Sequence, residues 1–452
     1  MLHRKAFYIF IVLIFRISFG YSQTNEEIPS QLSLEEAITY ALENSHKAID
    51  ARKEVAKALK QKWETTAQGL PQINADASYN YNIKQPVTLV PAEFMGGGAN
   101  EFIPLTFGTK QSASANVTLT QMIFDGSYLV GLQAAKVFLD YTDNNAQKAA
   151  VEIETSVTYA YGSALLAKEL TDIFEKNIAH IKDNLAETEK IYENGLVEEE
   201  SVEQLQITLL EMQTQLRSAK SNLSLAKQML NLNIGIPINE DLELTDTLDD
   251  LTSEASQLHL LDEKLELEQT IDYKIAETLV KQRNLEWKLE KSKALPRLNA
   301  FVNYGTSAYG DSFDFFKSDQ SWYDASALGI SLEIPIFSSG MRSARTKKAQ
   351  FAMEQAENQL DEISQQLQIN HSKLQNEYQV HLENIVSARQ NMKLAESIER
   401  KNAIKFREGL ASSFDYRQAQ TQLFGAQQQY FQAMLNLIDA KANLEALLKT
   451  IN

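Results

Sequence analysis

The sequence Leu-Pro-Gln-Ile-Asn-Ala at residues 70–75 returns as Leu-Pro-Arg-Leu-Asn-Ala at residues 295–300, 225 positions further along the chain. A second match follows in the same order: Tyr-Glu-Asn-Gly-Leu at 192–196 returns as Phe-Arg-Glu-Gly-Leu at 406–410, 214 positions later. Two ordered matches within 452 residues indicate an internal duplication. The separation between the copies is 225 residues for the first matching segment and 214 for the second. The first copy therefore contains about eleven additional residues between its two matching segments. We therefore expect each half to build the same elements, with one longer loop in the first half.

Each copy contains two runs in which apolar and polar residues alternate, such as the run at 73–84. A period of two is typical of β-strands, because successive side chains point to opposite faces. Runs of about ten residues are long enough for a tilted strand to cross a bilayer. A soluble β-sandwich would show the same alternation, although four strands are few for that fold. The expected strands lie at about 71–85 and 111–124 in the first copy and at about 296–305 and 324–337 in the second.

The loop of the second hairpin is rich in aromatic side chains. Aromatic rings accumulate at membrane–water interfaces, where an apolar ring and a polar edge are both accommodated. We therefore interpret this loop as lying at one end of membrane-spanning strands. Its aromatic residues are Tyr309, Phe313, Phe315, Phe316, Trp322 and Tyr323.

Two proline-free stretches, residues 126–192 and 340–406, predict very long helices. At ~1.5 Å per residue, a helix of about 65 residues is about 100 Å long, which no compact domain accommodates. The chain is therefore expected to contain rods. The expected long helices are 127–191, 197–234, 341–405 and 411–450.

The shorter rod of each copy carries a heptad seam. Its apolar residues recur at alternating intervals of three and four, which is the spacing of a coiled-coil helix packed along its length. The seam of the last helix coincides with the seam of the first copy when it is shifted by 214 positions. The two seams are Leu205, Leu209, Met212, Leu216, Ala219, Leu223, Ala226 and Leu230, and Ala419, Leu423, Ala426, Tyr430, Ala433, Leu437, Ala440 and Leu444.

These elements divide the chain into two repeats and a linker. Residues 1–22 combine a basic start, an apolar stretch and small residues before position 23, which is the pattern of a secretory signal peptide. We expect a first structural repeat at 23–236, an irregular acidic equatorial linker at 237–268, and a second structural repeat at 269–452. The first repeat should begin with one helix from about Leu34 to Gly69, because Pro71 cannot continue it.

Composition excludes several classes of protein. The formal net charge is −17 and no basic stripe is present, which argues against a nucleic-acid partner. The absence of cysteine excludes disulfides and thiolate metal sites. The histidines are scattered singly, and the sequence contains no phosphate-binding loop and no nucleophile elbow. We expect a protein that is not an enzyme and that has no cofactor and no metal.

The strands raise a problem of closure. No segment after the signal peptide approaches eighteen uninterrupted apolar residues, so the mature chain can enter a membrane only as strands that close a barrel. Four strands leave two open edges, which lipid does not tolerate. The chain must then pool strands with identical copies around a ring, and the same closure gathers the rods into a hollow cylinder. A barrel joined to a water-lined tube is a conduit.

The ordered set of motifs resembles the TolC-like outer-membrane efflux proteins, and the resemblance covers essentially the whole mature chain. It rests on the duplication, the Leu-Pro pair at each first strand, Ile-Phe-Asp-Gly at 123–126, Ile-Phe at 336–337 before Gly340, and the two Gly-Leu breaks. The family implies an α+β membrane protein, a homotrimer in which four transmembrane strands per protomer form one twelve-stranded barrel in outer-membrane lipid. That barrel would be continuous with a long α-helical coiled-coil tunnel in the periplasm.

The family also implies a function and partners. The expected function is an outer-membrane channel that serves a tripartite efflux or type I secretion system as its passive exit conduit. The expected partners are a periplasmic adaptor (a membrane fusion protein) and an inner-membrane pump or secretion transporter.

By the same resemblance, the two Gly-Leu breaks are the periplasmic tips of helical hairpins and contact the adaptor. These tips are Gly195 with Leu196, and Gly409 with Leu410. A plain helix reversal explains the same residues, because glycine relieves the backbone and leucine is left to pack on another surface.

Just past the second tip, the family carries aspartates around a constricted entrance, and Asp415 and Gln418 stand at these positions here. The family's tyrosine and arginine gate-tie positions match Phe406 and Ala411, which cannot form the same polar tie. The resemblance therefore leaves undefined how the closed mouth is held.

Three acids, Glu198, Glu199 and Glu200, crowd the first tip. Acidic side chains stabilise the start of a helix, so they require no further role. They are equally compatible with an acidic mouth that favours cationic cargo.

One alternative remains open, a secreted coiled-coil scaffold or adhesin without a pore. It explains the rods but gives the four long alternating strands no role. The sequence does not specify the cargo, because drug, metal-ion and protein export all use this architecture and the inner-membrane partner selects the substrate.

Overall fold

The structure is a computed structural model that describes residues 29–96, 98–195, 197–256 and 258–449. The expected signal peptide lies outside the described residues. In chain order the elements are β1 (Gln31–Leu32), α1 (Leu34–Asn44), α2 (His46–Ala67), β2 (Gln72–Tyr81), β3 (Val87–Pro91), β4 (Phe102–Thr106), β5 (Gln111–Asp125), α3 (Gly126–Glu193), α4 (Glu199–Ile234), β6 (Glu243–Leu244), α5 (Leu248–Ala255), α6 (Ile271–Ser292), β7 (Arg297–Gly310), β8 (Trp322–Glu333), α7 (Met341–Arg407) and α8 (Ser413–Leu448).

Four of these helices form two long hairpins. In the first, α3 has 68 residues and packs against α4 with 36; in the second, α7 has 67 and packs against α8 with 36. Every residue of the two heptad seams is buried or half-buried, as expected for helices that pack along their length. Among the described residues, no helix is both long enough and apolar enough to span a bilayer.

The four long strands form one antiparallel sheet in the order β2-β5-β7-β8. Its register pairs Ile73 with Leu119, Leu119 with Val302, and Val302 with Leu328, so these residues form one row across the sheet. Because side chains alternate along each strand, this row fixes the faces for the whole sheet. The apolar sets of all four strands therefore share one face, where Ile73, Val302 and Leu328 are exposed.

The opposite face of the sheet is polar and internally hydrogen-bonded. The Ser78 and Ser114 hydroxyls lie 2.8 Å apart on β2 and β5. The Asn303 amide on β7 donates to the Thr118 hydroxyl on β5 at 2.8 Å. A sheet with one exposed apolar face and one polar face is the arrangement of a strand set with lipid on one side and water on the other.

The helices continue the order of the strands. The chain passes from α2 into β2, from β5 into α3, from α6 into β7, and from β8 towards α7. Near the sheet, α2 packs on α3, α3 on α6, and α6 on α7. Towards the hairpin tips, α4 packs on α3, α3 on α8, and α8 on α7. The molecule is therefore a single row, four strands wide at one end and four helices wide along the rest.

The main core lies between the two helical levels, where the linker crosses the rods. Two buried tyrosines attach the crossing segments. The Tyr161 hydroxyl on α3 donates to the Leu32 carbonyl at 2.9 Å, and the Tyr378 hydroxyl on α7 donates to the Ala255 carbonyl at 2.7 Å. Burial raises the pKa of Tyr161, which keeps this phenol neutral.

The structure corrects the expectation of one helix from about Leu34 to Gly69. The helix breaks at Ser45, whose extended backbone ends α1 and whose hydroxyl accepts from the Ala48 amide of α2 at 3.2 Å. Serine is a favoured N-cap residue, and here it starts a new helix although the helical pattern of the sequence continues without a break.

The strands also differ from expectation, and β7 continues to Gly310 beyond its expected end at about 305. The longer first-half loop contains a hairpin, β3 paired with β4, that the alternation did not predict. The last strand was expected at about 324–337 but ends at Glu333, just before Pro335, which lacks the amide donor that a ladder needs.

Candidate functional site at the hairpin tips

The two hairpins reverse direction at glycines with the same backbone conformation. Gly195 has φ +70° and Gly409 has φ +71°, in the left-handed region that glycine adopts without strain. The Gly195 amide donates to the Tyr192 carbonyl at 2.8 Å, and the Gly409 amide donates to the Phe406 carbonyl at 3.1 Å. Each predicted tip is therefore a helix end closed by a left-handed glycine.

The residue after the second glycine is presented to solvent. The Leu410 backbone is held by a bond from its amide to the Lys405 carbonyl at 2.7 Å, while its residue is 78% exposed. A leucine fixed at a turn and left without packing is suited to contact another molecule. The equivalent Leu196 lies outside the described residues.

Asp415 is the third residue of α8 and forms a capping box with Ser412. Its carboxylate accepts from the Ser412 hydroxyl at 2.7 Å and from the Ser412 amide at 3.1 Å, while its own amide donates to the Ser412 hydroxyl at 3.1 Å. The Ser412 hydroxyl and amide bonds lower the pKa of this exposed carboxyl group. Asp415 is therefore an exposed negative charge in a fixed orientation.

Gln418, the other expected entrance residue, lies three positions along α8 and is also exposed. Residues three apart on a helix lie on the same side, so Asp415 and Gln418 are neighbours. Ala411, at one expected gate-tie position, lies in the turn before α8 and is half-buried.

Phe406, at the other gate-tie position, stacks on Tyr416. Their ring centroids are 5.4 Å apart with an interplanar angle of 13°. The Asn184 side-chain amide on α3 donates to the Tyr416 hydroxyl at 2.6 Å. Burial, followed by the nearby Glu399 carboxylate, raises the pKa of Tyr416 to about 12. A neutral phenol on α8 thus joins α7 by stacking and α3 by a hydrogen bond.

The acidic tip is connected to the second hairpin through one glutamine. The Gln204 side-chain amide donates to the Glu200 carboxylate at 2.8 Å, and its carbonyl accepts from the Ser413 hydroxyl at 3.2 Å. Glu198 is the N-cap residue of α4 and forms no side-chain cap, while Glu199 and Glu200 lie in the first turn. All three acids are exposed.

The tips provide charged groups and exposed contact surfaces. Within the described ranges, no group of three or more histidine, aspartate or glutamate side chains is arranged to hold a metal ion. The tips instead offer exposed carboxylates, an exposed leucine and polar ties between hairpins. Such a surface can attract cations and bind a partner protein.

Sequence reasoning missed the ties that join the hairpins. The pattern Ser412-x-x-Asp415 is a readable capping-box motif. The bonds of Tyr416 to Asn184 and of Ser413 to Gln204 join residues 232 and 209 positions apart, and no local pattern marks them.

A comparison with protein families decides the identity of the chain. The family model described as "Outer membrane efflux protein" matches residues 37–235 and 264–449. The chain belongs to the outer membrane efflux protein family. This efflux protein is accordingly an outer-membrane channel whose helical part lies in the periplasm, and the alternative of a scaffold or adhesin without a pore loses its support.

Solved structures agree on the fold of this efflux protein. The outer membrane protein VceC of Vibrio cholerae is 18% identical, with 92% of this chain and 96% of VceC covered at a TM-score of 0.69. The CmeC outer membrane channel of Campylobacter jejuni is 14% identical, with coverage of 92% and 85% at a TM-score of 0.70. The MtrE outer membrane channel of Neisseria gonorrhoeae, solved in its open state, is 18% identical, with coverage of 92% and 88% at a TM-score of 0.68. No curated protein sequence matches significantly.

Proposed function

We propose that three copies of this efflux protein close into one outer-membrane barrel and one periplasmic tunnel. Substrates would leave through it after an inner-membrane pump and a periplasmic adaptor have delivered them. The observation that carries the proposal is that the sheet and the helix row are both open along the same two flanks. A molecule that is open along its whole length on two sides needs copies of itself to cover them.

The sheet supports a head-to-tail ring. Within the described residues, β2 and β8 are the two edge strands. Neighbouring strands are antiparallel throughout, so β2 and β8 run in opposite directions. In a ring of identical copies, β8 of one protomer then meets β2 of the next as an antiparallel pair, and every backbone group of the edges is satisfied.

The helix row supports the same ring. Its tip-side flanks are α4 and α7, and each presents exposed apolar residues along one face. The α4 and α7 helices run antiparallel, and their exposed apolar residues lie at matching distances from the tips. The α4 helix of one protomer can therefore pack on the α7 helix of the next. The exposed residues are Ile207, Leu210, Leu225 and Leu232 on α4, and Ile369, Val380, Leu394 and Ile398 on α7.

The number of copies rests on the family resemblance. Three copies of a four-stranded sheet give twelve strands, within the range of about 8 to 26 for even-numbered outer-membrane barrels. Two structural repeats of helix, hairpin strands and long helices in each protomer would then alternate around the tunnel.

We assign the tips to the entrance and to the adaptor contact. The turns at Gly195 and Gly409 and the exposed Leu410 would dock the adaptor, and Leu196 would take the same role at the first tip. The exposed carboxylate of Asp415, beside Gln418, would face the incoming substrate together with the acidic tip at 198–200. Carboxylates at a narrow opening favour cations, because an anion that enters the opening loses part of its hydration shell and is also repelled by the carboxylates.

Cross-linking of introduced cysteines tests the ring, since the chain has no cysteine of its own. In the variant Leu225→Cys with Val380→Cys, a short bismaleimide should link α4 to α7 of the next protomer and yield species up to three chains and no larger. Leu225→Cys with Val386→Cys is the matched control, because Val386 is also exposed but lies on another face of α7. Equal cross-linking of both variants, none in the first, or ladders beyond three chains would contradict the proposed trimer.

A further inference from the structure

Beyond the transport function, the wall between the two hairpins contains a cavity with its own recognition chemistry. The cavity has a volume of about 420 Å³ and lies between α3, α7 and α8, above the tips. Small-molecule sites in proteins have volumes of roughly 300 to 1,000 Å³. The space is therefore sufficient for a small organic ligand.

The rim of this cavity is positively charged. Lys176 on α3 and Arg400 and Arg407 on α7 line it, together with His180 and a single carboxylate, Glu399. None of the three cations forms an ion pair with a carboxylate of the described residues. The chain as a whole is acidic, with a formal net charge of −17, whereas the three unpaired cations make the surroundings of this cavity positive. Such a rim attracts an anion, and a guanidinium fork matches the geometry of a carboxylate or phosphate.

Three residues that line the cavity have buried polar side-chain atoms without a hydrogen-bond partner among the described residues. Gln420 on α8 is only 3% exposed, and its side-chain carbonyl has no hydrogen-bond partner among the described residues. The carbonyl of Gln427, two turns further along α8, and the side-chain amide of Asn177 on α3 are likewise buried without partners. Buried polar groups normally have partners, so two unpartnered acceptors and one donor on residues that line one cavity indicate that an occupant supplies their partners.

The two halves of the cavity define the chemistry of that occupant. The cationic rim selects an anionic group, whereas the two carboxamide oxygens need donors that a bare carboxylate or phosphate does not have. We propose that this cavity is a binding site for a small hydroxylated organic anion, with its charged groups at Lys176, Arg400 and Arg407 and a hydroxyl at Gln420. The occupant touches α3, α7 and α8 together, so it bridges the first hairpin to the second.

Calorimetric titration of the detergent-solubilised protein with citrate and with glycerol phosphate tests the site and distinguishes a carboxylate from a phosphate source. At least one of the two probes should bind, and Arg400→Gln, at the exposed rim, should weaken that binding at least tenfold. Arg345→Gln is the matched control, because Arg345 lies on the same helix outside the cavity and should leave the affinity unchanged.

The hydroxyl contact has its own test. Tricarballylate is citrate without the hydroxyl group, and it should bind several-fold more weakly than citrate to the wild-type protein. This difference should shrink in Gln420→Leu and in Gln427→Leu; the second variant provides the test if the first fails to fold. Absence of binding for both probes, or equal losses in Arg400→Gln and Arg345→Gln, would overturn the proposal. A crystal structure grown with the probe that binds, showing only water in the cavity, would overturn it as well.

Discussion

The side-chain amide of Asn184 on α3 lies 2.6 Å from the phenol oxygen of Tyr416 on α8, so a hydrogen bond joins the two hairpins just above their tips. Tyr416 also stacks on Phe406 of α7. The resemblance to the family left undefined how a closed mouth is held, because Phe406 and Ala411 cannot form a polar tie. The bond between Asn184 and Tyr416 is a polar tie at the same level of the hairpins, made by different residues.

Removal of this tie should loosen the tips. A neutral hydrogen bond contributes about 1 kcal/mol, which is roughly a fivefold shift in an equilibrium between closed and open tips. Asn184→Ala should therefore raise the mean conductance of reconstituted channels in planar bilayers. Asn402→Ala is the matched control, because within the described part of the chain the Asn402 amide bonds only to the Ile398 carbonyl of its own helix, at 3.0 Å. Identical conductance of the two variants would exclude Asn184 from holding the tips.

The phenol of Tyr416 should lose its proton at a higher pH than an ordinary tyrosine. Burial and the Glu399 carboxylate raise its pKa to about 12, from an unfolded value near 10. Because the folded pKa is the higher one, the stabilising contribution is complete below pH 10 and is lost as the pH rises through 12. The difference between the ultraviolet titration curves of the wild-type protein and Tyr416→Phe should show one phenol with a midpoint near 12. A midpoint near 10 would show that this side chain is not buried between the hairpins.

Asp415 should contribute to ion selectivity. Asp415→Asn removes its charge but retains an oxygen that accepts from Ser412, so α8 keeps its cap. We expect a weak cation preference in the wild type and a smaller one in the variant, measured as the reversal potential across a salt gradient. Asp143→Asn, on α3 outside the tips, should leave the reversal potential unchanged. An unchanged potential in Asp415→Asn would remove the entrance assignment while leaving the fold intact.

Two glycines of the second hairpin should respond in opposite directions to the same substitution. Gly409 has φ +71°, where an alanine costs about 1–2 kcal/mol. Gly425 lies inside α8 with open space around its missing side chain, so alanine should stabilise the helix by roughly 0.5–1 kcal/mol. Thermal unfolding followed by circular dichroism should show a lower midpoint for Gly409→Ala and a higher one for Gly425→Ala. A common direction of change would contradict the assigned turn.

Adjacent positions of β8 should differ in their tolerance of charge. Leu328 lies on the exposed apolar face of the sheet, and Ala327 lies on the polar face. A lysine facing lipid near the bilayer midplane costs about 2–4 kcal/mol, whereas a lysine facing water costs little. Leu328→Lys should therefore reduce the urea-resistant membrane fraction, and Ala327→Lys should not. Equal membrane fractions would mean that the apolar face does not contact lipid.

The elements with a strong period could be predicted from the sequence. The alternation from Ile73 onwards locates β2, and the long proline-free stretches locate α3 and α7 to within a few residues, because both patterns continue over many positions. The heptad seams likewise indicate the buried side of α4 and α8.

Elements that depend on one residue or on distant contacts could not be predicted. The break at Ser45 depends on a single N-cap inside a helical pattern, and the β3–β4 hairpin has no alternation long enough to recognise. At the tips, the capping motif of Asp415 is readable, but the partner of Tyr416 is set by how α3 packs on α8. The cavity beside Gln420 is formed by three helices and has no local pattern at all.

The most direct test of the whole account is the mass of the purified mature protein in mild detergent, measured by light scattering with the detergent contribution subtracted. Because each copy has open flanks along both its sheet and its helices, we predict a particle of three chains that aggregates when the detergent is removed. A single chain in detergent, or a protein that stays dispersed in buffer without detergent, would contradict the assembly on which the channel depends.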